Sequence, residues 1–133
     1  MRERNVIRVQ DVMANDFAMV DGLITIKAAI EIYKEKKVAA LLVNKRHDDD
    51  EYGILLLSDI AKKVLAQDRA PERINVYEVM TKPVIGVDPQ MDVRYCARLF
   101  DNFGLSMAPV LKNGEVMGVV GYNQIVLDGL LTD

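Results

Sequence analysis

Four consecutive acidic residues, Asp48-Asp49-Asp50-Glu51, form the densest group of chemically able side chains in the chain. Hard cations favour such oxygen donors. The run has no glycine to shape a binding loop and falls at an expected hairpin tip, so it reads as a solvated turn. His47 precedes it, but with no nucleophile beside it an acid–base pair has nothing to activate, and it reads as a surface side chain. The single cysteine, Cys96, excludes an internal disulfide and any multi-cysteine zinc site, and the single histidine excludes a His-cluster metal site. Cys96 falls on an apolar helix stripe and reads as an inert buried thiol. No Gly-rich phosphate loop and no Gly-x-Ser-x-Gly occurs, so no catalytic residue is assigned. Asp59 stands near the start of a helix, where an acidic side chain interacts well with the dipole.

The elements that must position these residues belong to an ordinary globular chain. Of 133 residues, 50% are apolar and 28% charged, and 17 basic residues face 20 acidic ones for a net charge of −3. That balance argues against a nucleic-acid partner. Lys34, Lys36 and Lys37 are diluted by Glu31 and Glu35 and read as a solvated helix end. No apolar run approaches the roughly 20 residues that span a bilayer, so no membrane partner is expected. Met1–Asn5 leads into no signal-peptide run, and with one free thiol the expected location is cytoplasmic.

The chain is duplicated. Asp11-Val12-Met13 recurs as Glu78-Val79-Met80, and the same spacing carries Val20-Asp21 onto Val87-Asp88, Thr25-Ile26 onto Asp92-Val93 and Val43 onto Val110. Gly53 then matches Gly118, and Ile60 matches Ile125, after a loop two residues longer in the first copy. Each copy reads strand, helix, strand, strand, helix. Thr25 and Asp92 are N-cap types. The stripes Ile26, Ala29, Ile30, Tyr33 and Val93, Cys96, Ala97, Phe100 follow the spacing that buries one helix face. Gly104 suits a helix C-cap. Val38–Val43 and Leu105–Leu111 read as buried strands, Asn113-Gly114 as a hairpin turn, and Gly53–Leu57 and Gly118–Tyr122 as the third strands. The last helices start near Ser58-Asp59 and near Asn123. Gln67–Arg73 reads as a linker, which divides the chain into repeats 1–70 and 71–133. Ile32 and Leu99, equivalent positions beside the stripes, with Phe103, suggest a helix face that meets another chain.

The ordered set of motifs resembles a tandem pair of CBS domains, the regulatory modules named after cystathionine beta-synthase. It rests on Asp11-Val12-Met13 and Glu78-Val79-Met80, on Val87-Asp88-Pro89 and Ala108-Pro109-Val110, and most on Gly53–Ile60 and Gly118–Ile125. The resemblance implies an α+β fold of two β-α-β-β-α repeats packed through their sheets about a pseudo-twofold axis, with two clefts. It implies a non-catalytic regulatory module, a homodimer and no required cofactor. It also implies an adenosine-containing ligand, AMP-like first, and a regulated protein served in trans or by a free-standing sensor. The alternative is a ligand-free dimerisation scaffold with degenerate clefts.

In that family the Asp after Gly, two apolar residues, Ser or Thr and two further residues binds ribose hydroxyls. Asp59 is that residue in the first copy, with Leu56 where the pattern has a hydroxyl. By the same resemblance the first cleft takes Ile54 against adenine, borrows Thr81, Lys82 and Pro83, and has Ala39 and Ala40 where some members carry phosphate-binding basic residues. Lys82 is its one obvious cation. The second cleft would use Gln124, Val119, Ser106, Met107 and Asp16, borrowing Ala14 and Asn15 alongside, with Gln124 in place of the Asp and Gly121 in place of the hydroxyl. The missing basic residues favour a monophosphate, a neutral adenosine derivative or no ligand.

Overall fold

The computed structural model describes residues 6–130. Met1–Asn5, searched above for a targeting signal, and residues 131–133 of the second repeat lie outside the described residues. The elements in chain order are α1 (Val9–Val12), β1 (Phe17–Val20), α2 (Ile26–Lys36), β2 (Ala40–Val43), β3 (Gly53–Leu55), α3 (Leu57–Ile60), α4 (Val93–Phe103), β4 (Met107–Lys112) and β5 (Glu115–Gly121). Helix α3 runs on into a π-helical turn over Ala61–Leu65, and a second π-helical turn, Gln124–Asp128, follows β5. The mixed α+β composition matches the expectation. Among the described residues no helix is long and apolar enough to cross a membrane.

Two units form, and their borders are not those of the sequence repeats. One is Asp16–Val84; the other joins the segment ending at Asn15 to the segment beginning at Ile85. Backbone hydrogen bonds cause the difference, and they come in matched pairs. Ile26 N–H donates to Ile74 as Val93 N–H donates to Ile7. Val76 N–H donates to Ile24 as Val9 N–H donates to Met91, and Tyr77 N–H to Gly22 as Gln10 N–H to Pro89. Thr81 exchanges two bonds with Ile54, as Ala14 does with Val119. The opening segment of each sequence repeat therefore folds with the body of the other. The border at 70/71 marks the sequence duplication; the folded units are cut near 15/16 and 84/85.

The exchange explains the repeated motif. Asp11 accepts from Arg8 N–H at 2.9 Å and Glu78 from Asn75 N–H at 2.8 Å, each closing a short helical turn. Val12 and Val79 enter the two cores. The methionine and the residue after it then pass so close to the third strand that any side chain there would force a neighbour to shift. A Cβ on Gly53 would lie 2.6 Å from Met80 Sδ, and one on Gly118 would lie 2.9 Å from the Ala14 carbonyl oxygen.

In the unit Asp16–Val84, β2 pairs parallel with β1 and antiparallel with β3, with Leu41 opposite Leu55 and Val43 opposite Gly53. Thr25 Oγ1 caps α2 by accepting from Ala28 N–H, and Ile26, Ala29 and Tyr33 fill the core with Leu41, Val43, Leu55, Val76 and Val79. In the other unit Asp92 caps α4, and Gly104 ends it at φ 64°. β4 and β5 form a hairpin through Asn113-Gly114, both residues at positive φ as its tight turn requires.

Here the fold departs from the expected strand order. The second copy's first strand shrinks to one parallel bridge, Val87 to Val110. Val87 donates to the Pro109 carbonyl and accepts from Leu111 N–H. The next bonds either way would need an N–H from Pro109 and from Pro89, and proline has none. Their counterparts in the first copy are Leu42 and Gly22, and there β1 pairs with β2 over four residues, from Phe17 opposite Ala40 to Val20 opposite Val43. Ile32 and Leu99 also differ from expectation: both are half-buried against their own unit's core, because the stripe is broader than four positions. Phe103 is exposed.

Candidate functional site

The turn from β3 into α3 places Asp59. Leu56 is extended (φ −100°) and its N–H donates to Asp59 Oδ2 at 2.9 Å. The carboxylate thereby fixes the start of its own helix, which is the structural role that residue type alone suggests. Its other oxygen, Oδ1, lies 3.9 Å from Lys63 Nζ, one turn along, and the side chain keeps 17% of its surface exposed. One oxygen is thus committed to the fold, and one stays available as an acceptor.

Lys63, not Lys82, is the cation at Asp59. Its ammonium also donates to the Val79 carbonyl at 3.0 Å, so a backbone group from the exchanged segment holds it in place. The i,i+4 spacing from Asp59 to Lys63 was the signal that could have found it. Lys82 instead pairs with Asp50 at 2.6 Å. Asp50 also accepts from the Arg46 N–H at 2.8 Å and from Arg46 Nε at 3.4 Å. These partners, Lys82 foremost, hold the Asp50 carboxyl well below the usual carboxylate range. The acidic run is therefore not uniformly a solvated turn: Asp48 and Asp49 are exposed, and Asp50 is an internal counter-ion.

Behind the site, the buried Tyr33 hydroxyl donates to the Leu55 carbonyl at 2.5 Å and accepts from Leu41 N–H at 3.2 Å. It ties β2 to β3 beside the turn that carries Asp59. Burial, opposed by the Leu41 hydrogen bond and aided by the Asp59 charge, pushes its pKa up to about 12. An apolar-stripe reading of the sequence hides this polar duty.

The other residues of the first cleft divide. Thr81 lies beside Ile54 through the reciprocal backbone bonds, so the expected borrowing occurs, and Thr81 and Pro83 are exposed. Ala39 is half-buried, its N–H donating to the Asp16 carbonyl at 2.9 Å. Ala40 is fully buried and Ile54 is only 4% exposed. Ala40 therefore presents no surface to a ligand, because β2 is covered along its whole length.

The second set is less coherent. Gln124 Oε1 accepts from Gly121 N–H at 2.8 Å, repeating the Asp59 geometry without the charge. Gly121 pairs with Met107, and a Cβ there would meet Met107 Cε at 2.9 Å. The thioether covers the spot where the pattern has a hydroxyl. Val119 is fully buried and Ser106 is exposed. Asp16 falls in the other unit, just after the border at Asn15, and its carbonyl accepts from Ala39 N–H.

Cys96 is buried, and burial pushes its thiol up to about 11. Among the described residues no group of three or more His, Cys, Asp or Glu side chains could hold a metal ion.

The CBS domain model matches residues 9–66 and 76–127. The chain belongs to the CBS domain family. Its CBS pair is 36% identical to a hexameric CBS-CP12 protein from bloom-forming cyanobacteria, with a TM-score of 0.87 over 90% of this chain and 69% of that one. A CBS domain pair solved in complex with 5′-methylthioadenosine and S-adenosyl-L-methionine is 26% identical, with a TM-score of 0.76 over 90% and 96% of the two chains. A homoserine O-acetyltransferase from Methanosalsum zhilinae is 32% identical over 91% of this chain but only 24% of its own length. An uncharacterized protein from Methanopyrus kandleri is 29% identical over 75% and 53%. The CBS pair thus spans from about a quarter to about half the length of these curated relatives. CBS pairs are regulatory modules.

Proposed function

We propose that this CBS pair is a non-catalytic sensor that takes an adenosine derivative at Asp59, in the unit Asp16–Val84. The observation that carries the reading is the divided carboxylate: Oδ2 is spent on Leu56 N–H, while among the described residues Oδ1 has only Lys63 at 3.9 Å. A ribose diol offers hydroxyl donors to such an oxygen, and a charge-assisted bond contributes about 1.5–3 kcal/mol. Ala39 brings no charge, and Lys82 pairs with Asp50 rather than lying at Asp59, so Lys63 is the cation beside Asp59. That fits a monophosphate or an uncharged nucleoside thioether better than a triphosphate. The relative bound to 5′-methylthioadenosine and S-adenosyl-L-methionine supports the same ligand class. The acetyltransferase name belongs to a chain about four times as long and does not enter this reading. A homodimer accompanies the proposal, with exposed Leu57, Leu65, Val126 and Leu127 on the last helices as its apolar contacts.

Calorimetric titration with AMP, ATP, 5′-methylthioadenosine and S-adenosylmethionine tests the reading. Asp59→Asn keeps an oxygen for Leu56 N–H while removing the charge, so it should fold and lose about 10-fold or more in affinity. Unchanged binding would move the ligand elsewhere. The second reading, a scaffold with degenerate clefts, is favoured by Leu56 and by the Met107 thioether over Gly121. It predicts no heat with any of the four. Light scattering in the same buffers reads the oligomer.

A further inference from the structure

A cavity of about 470 Å³ opens in the unit Asp16–Val84 at the end of the sheet away from Asp59. Val43 and Asn44 line it where β2 ends, at the Val43–Gly53 pairing, whereas Asp59 follows the Leu55–Leu41 end. Its size lies within the roughly 300–1,000 Å³ of small-molecule pockets.

The duplication supplies an internal control. Gly22 corresponds to Pro89, Asn44 to Leu111 and Lys82 to Asn15. In the other unit Pro89 is buried and Leu111 packs close over Gly86. The fold therefore accepts apolar filling at these positions. In this unit a Cβ on Gly22 would stand 3.3 Å from both Tyr77 Cβ and Val43 Cγ1, and Gly22 is not at positive φ. Glycine here allows the close approach of Tyr77 and Val43, not a special backbone conformation, so a larger residue must press on these two lining side chains.

The polar groups around that space are arranged. Asp50 draws Lys82 and Arg46 together, at 2.6 and 3.4 Å. Lys82 keeps two further N–H donors and Arg46 its terminal amino groups, with no other partner among the described residues. Two adjacent cations with spare donors suit a carboxylate. Asp21 gives Oδ1 to Leu23 N–H at 2.8 Å and leaves Oδ2 for a cation. Met80, Leu23 and the half-exposed Tyr77 ring supply apolar surface.

We propose that this cavity binds a free α-amino acid with an apolar side chain. The carboxylate sits on Arg46 and Lys82, the ammonium on Asp21, and the side chain against Met80, Leu23 and Tyr77. The site is independent of the adenosine reading.

The test is calorimetry on the full chain with L-leucine, L-methionine and L-phenylalanine, beside N-acetyl-L-leucine and 3-methylbutylamine, which lack the ammonium and the carboxylate respectively. Expected are binding by at least one amino acid and a loss of 10-fold or more for both leucine analogues relative to leucine. A loss of the same size is expected in Gly22→Pro, which restores the other copy's residue, and in Asn44→Leu, which carries the point if the proline variant does not fold. Asp59→Asn should leave amino-acid binding unchanged, which separates this site from the adenosine reading. No heat with all three amino acids, equal binding of either analogue, or full binding in a folded filled-cavity variant would overturn the proposal.

Discussion

A buried hydroxyl and a buried thiol make the stability of this chain sensitive to alkali. Tyr33 is held up to about 12 and Cys96 up to about 11, against ordinary values of 10.0 and 9.0. Both groups bind their protons more tightly folded than unfolded. Their contribution is complete below pH 9, where both states are protonated. It drains away as pH rises through 9 to 11 for the thiol and 10 to 12 for the phenol. Each group adds a slope of up to about 1.4 kcal/mol per pH unit within its window. Urea unfolding at stepped pH should show the fall, and Cys96→Ala should remove its lower part. Tyr33→Phe should flatten the upper part. At neutral pH it should cost about 1–3 kcal/mol, because Leu41 N–H and the Leu55 carbonyl lose their partner. A Tyr33→Phe protein as stable as the parent at pH 7 would contradict the assigned bonds.

At the scale of the element, the start of α3 is half a capping box. Asp59 reaches back to Leu56 N–H, but leucine offers no oxygen in return. Leu56→Thr would supply that oxygen and a hydroxyl beside Asp59. The expected outcome is adenosine-ligand binding tighter by about threefold to tenfold, read by the same titration, since one neutral hydrogen bond contributes about 0.5–1.5 kcal/mol. Affinity unchanged or weakened would separate the hydroxyl position from the ligand. How far such elements were legible depended on whether their causes were local. The N-caps Thr25 and Asp92, the Gly104 stop and the Asn113-Gly114 turn each act within four residues, and each stands as read. The first strand of the second copy failed because a ladder needs donors from two segments. Pro89 and Pro109 each remove one donor of that ladder, one on either side of the Val87 bridge, which shows only once the two segments are aligned. The Lys82–Asp50 pair escaped notice for the same reason: 32 residues separate its members in the chain.

For the whole molecule, the duplication was plain in the sequence, but the exchange of opening segments was not, since a repeat looks the same whichever body its first turn joins. The exchange has a direct energetic consequence. The core of the unit Asp16–Val84 includes Ile74, Val76 and Val79, all from beyond the linker. A fragment 1–70 follows the sequence repeat but lacks those three side chains. Burying each contributes about 1.5–3 kcal/mol, so their loss removes roughly 4–9 kcal/mol. A domain's whole stability is about 5–15 kcal/mol. A fragment 16–84 keeps them, together with the Ile26–Ile74 and Ile54–Thr81 backbone bonds. Expressed separately, 1–70 should show an unfolded circular dichroism spectrum and rapid proteolysis. The 16–84 fragment should keep helical and sheet signal with a cooperative melt. If 1–70 were the better folder, the hydrogen bonds of residues 74–81 would not be holding that unit together. The matched bonds of residues 7–14 in the other unit would then need a different account, because the two sets are built alike.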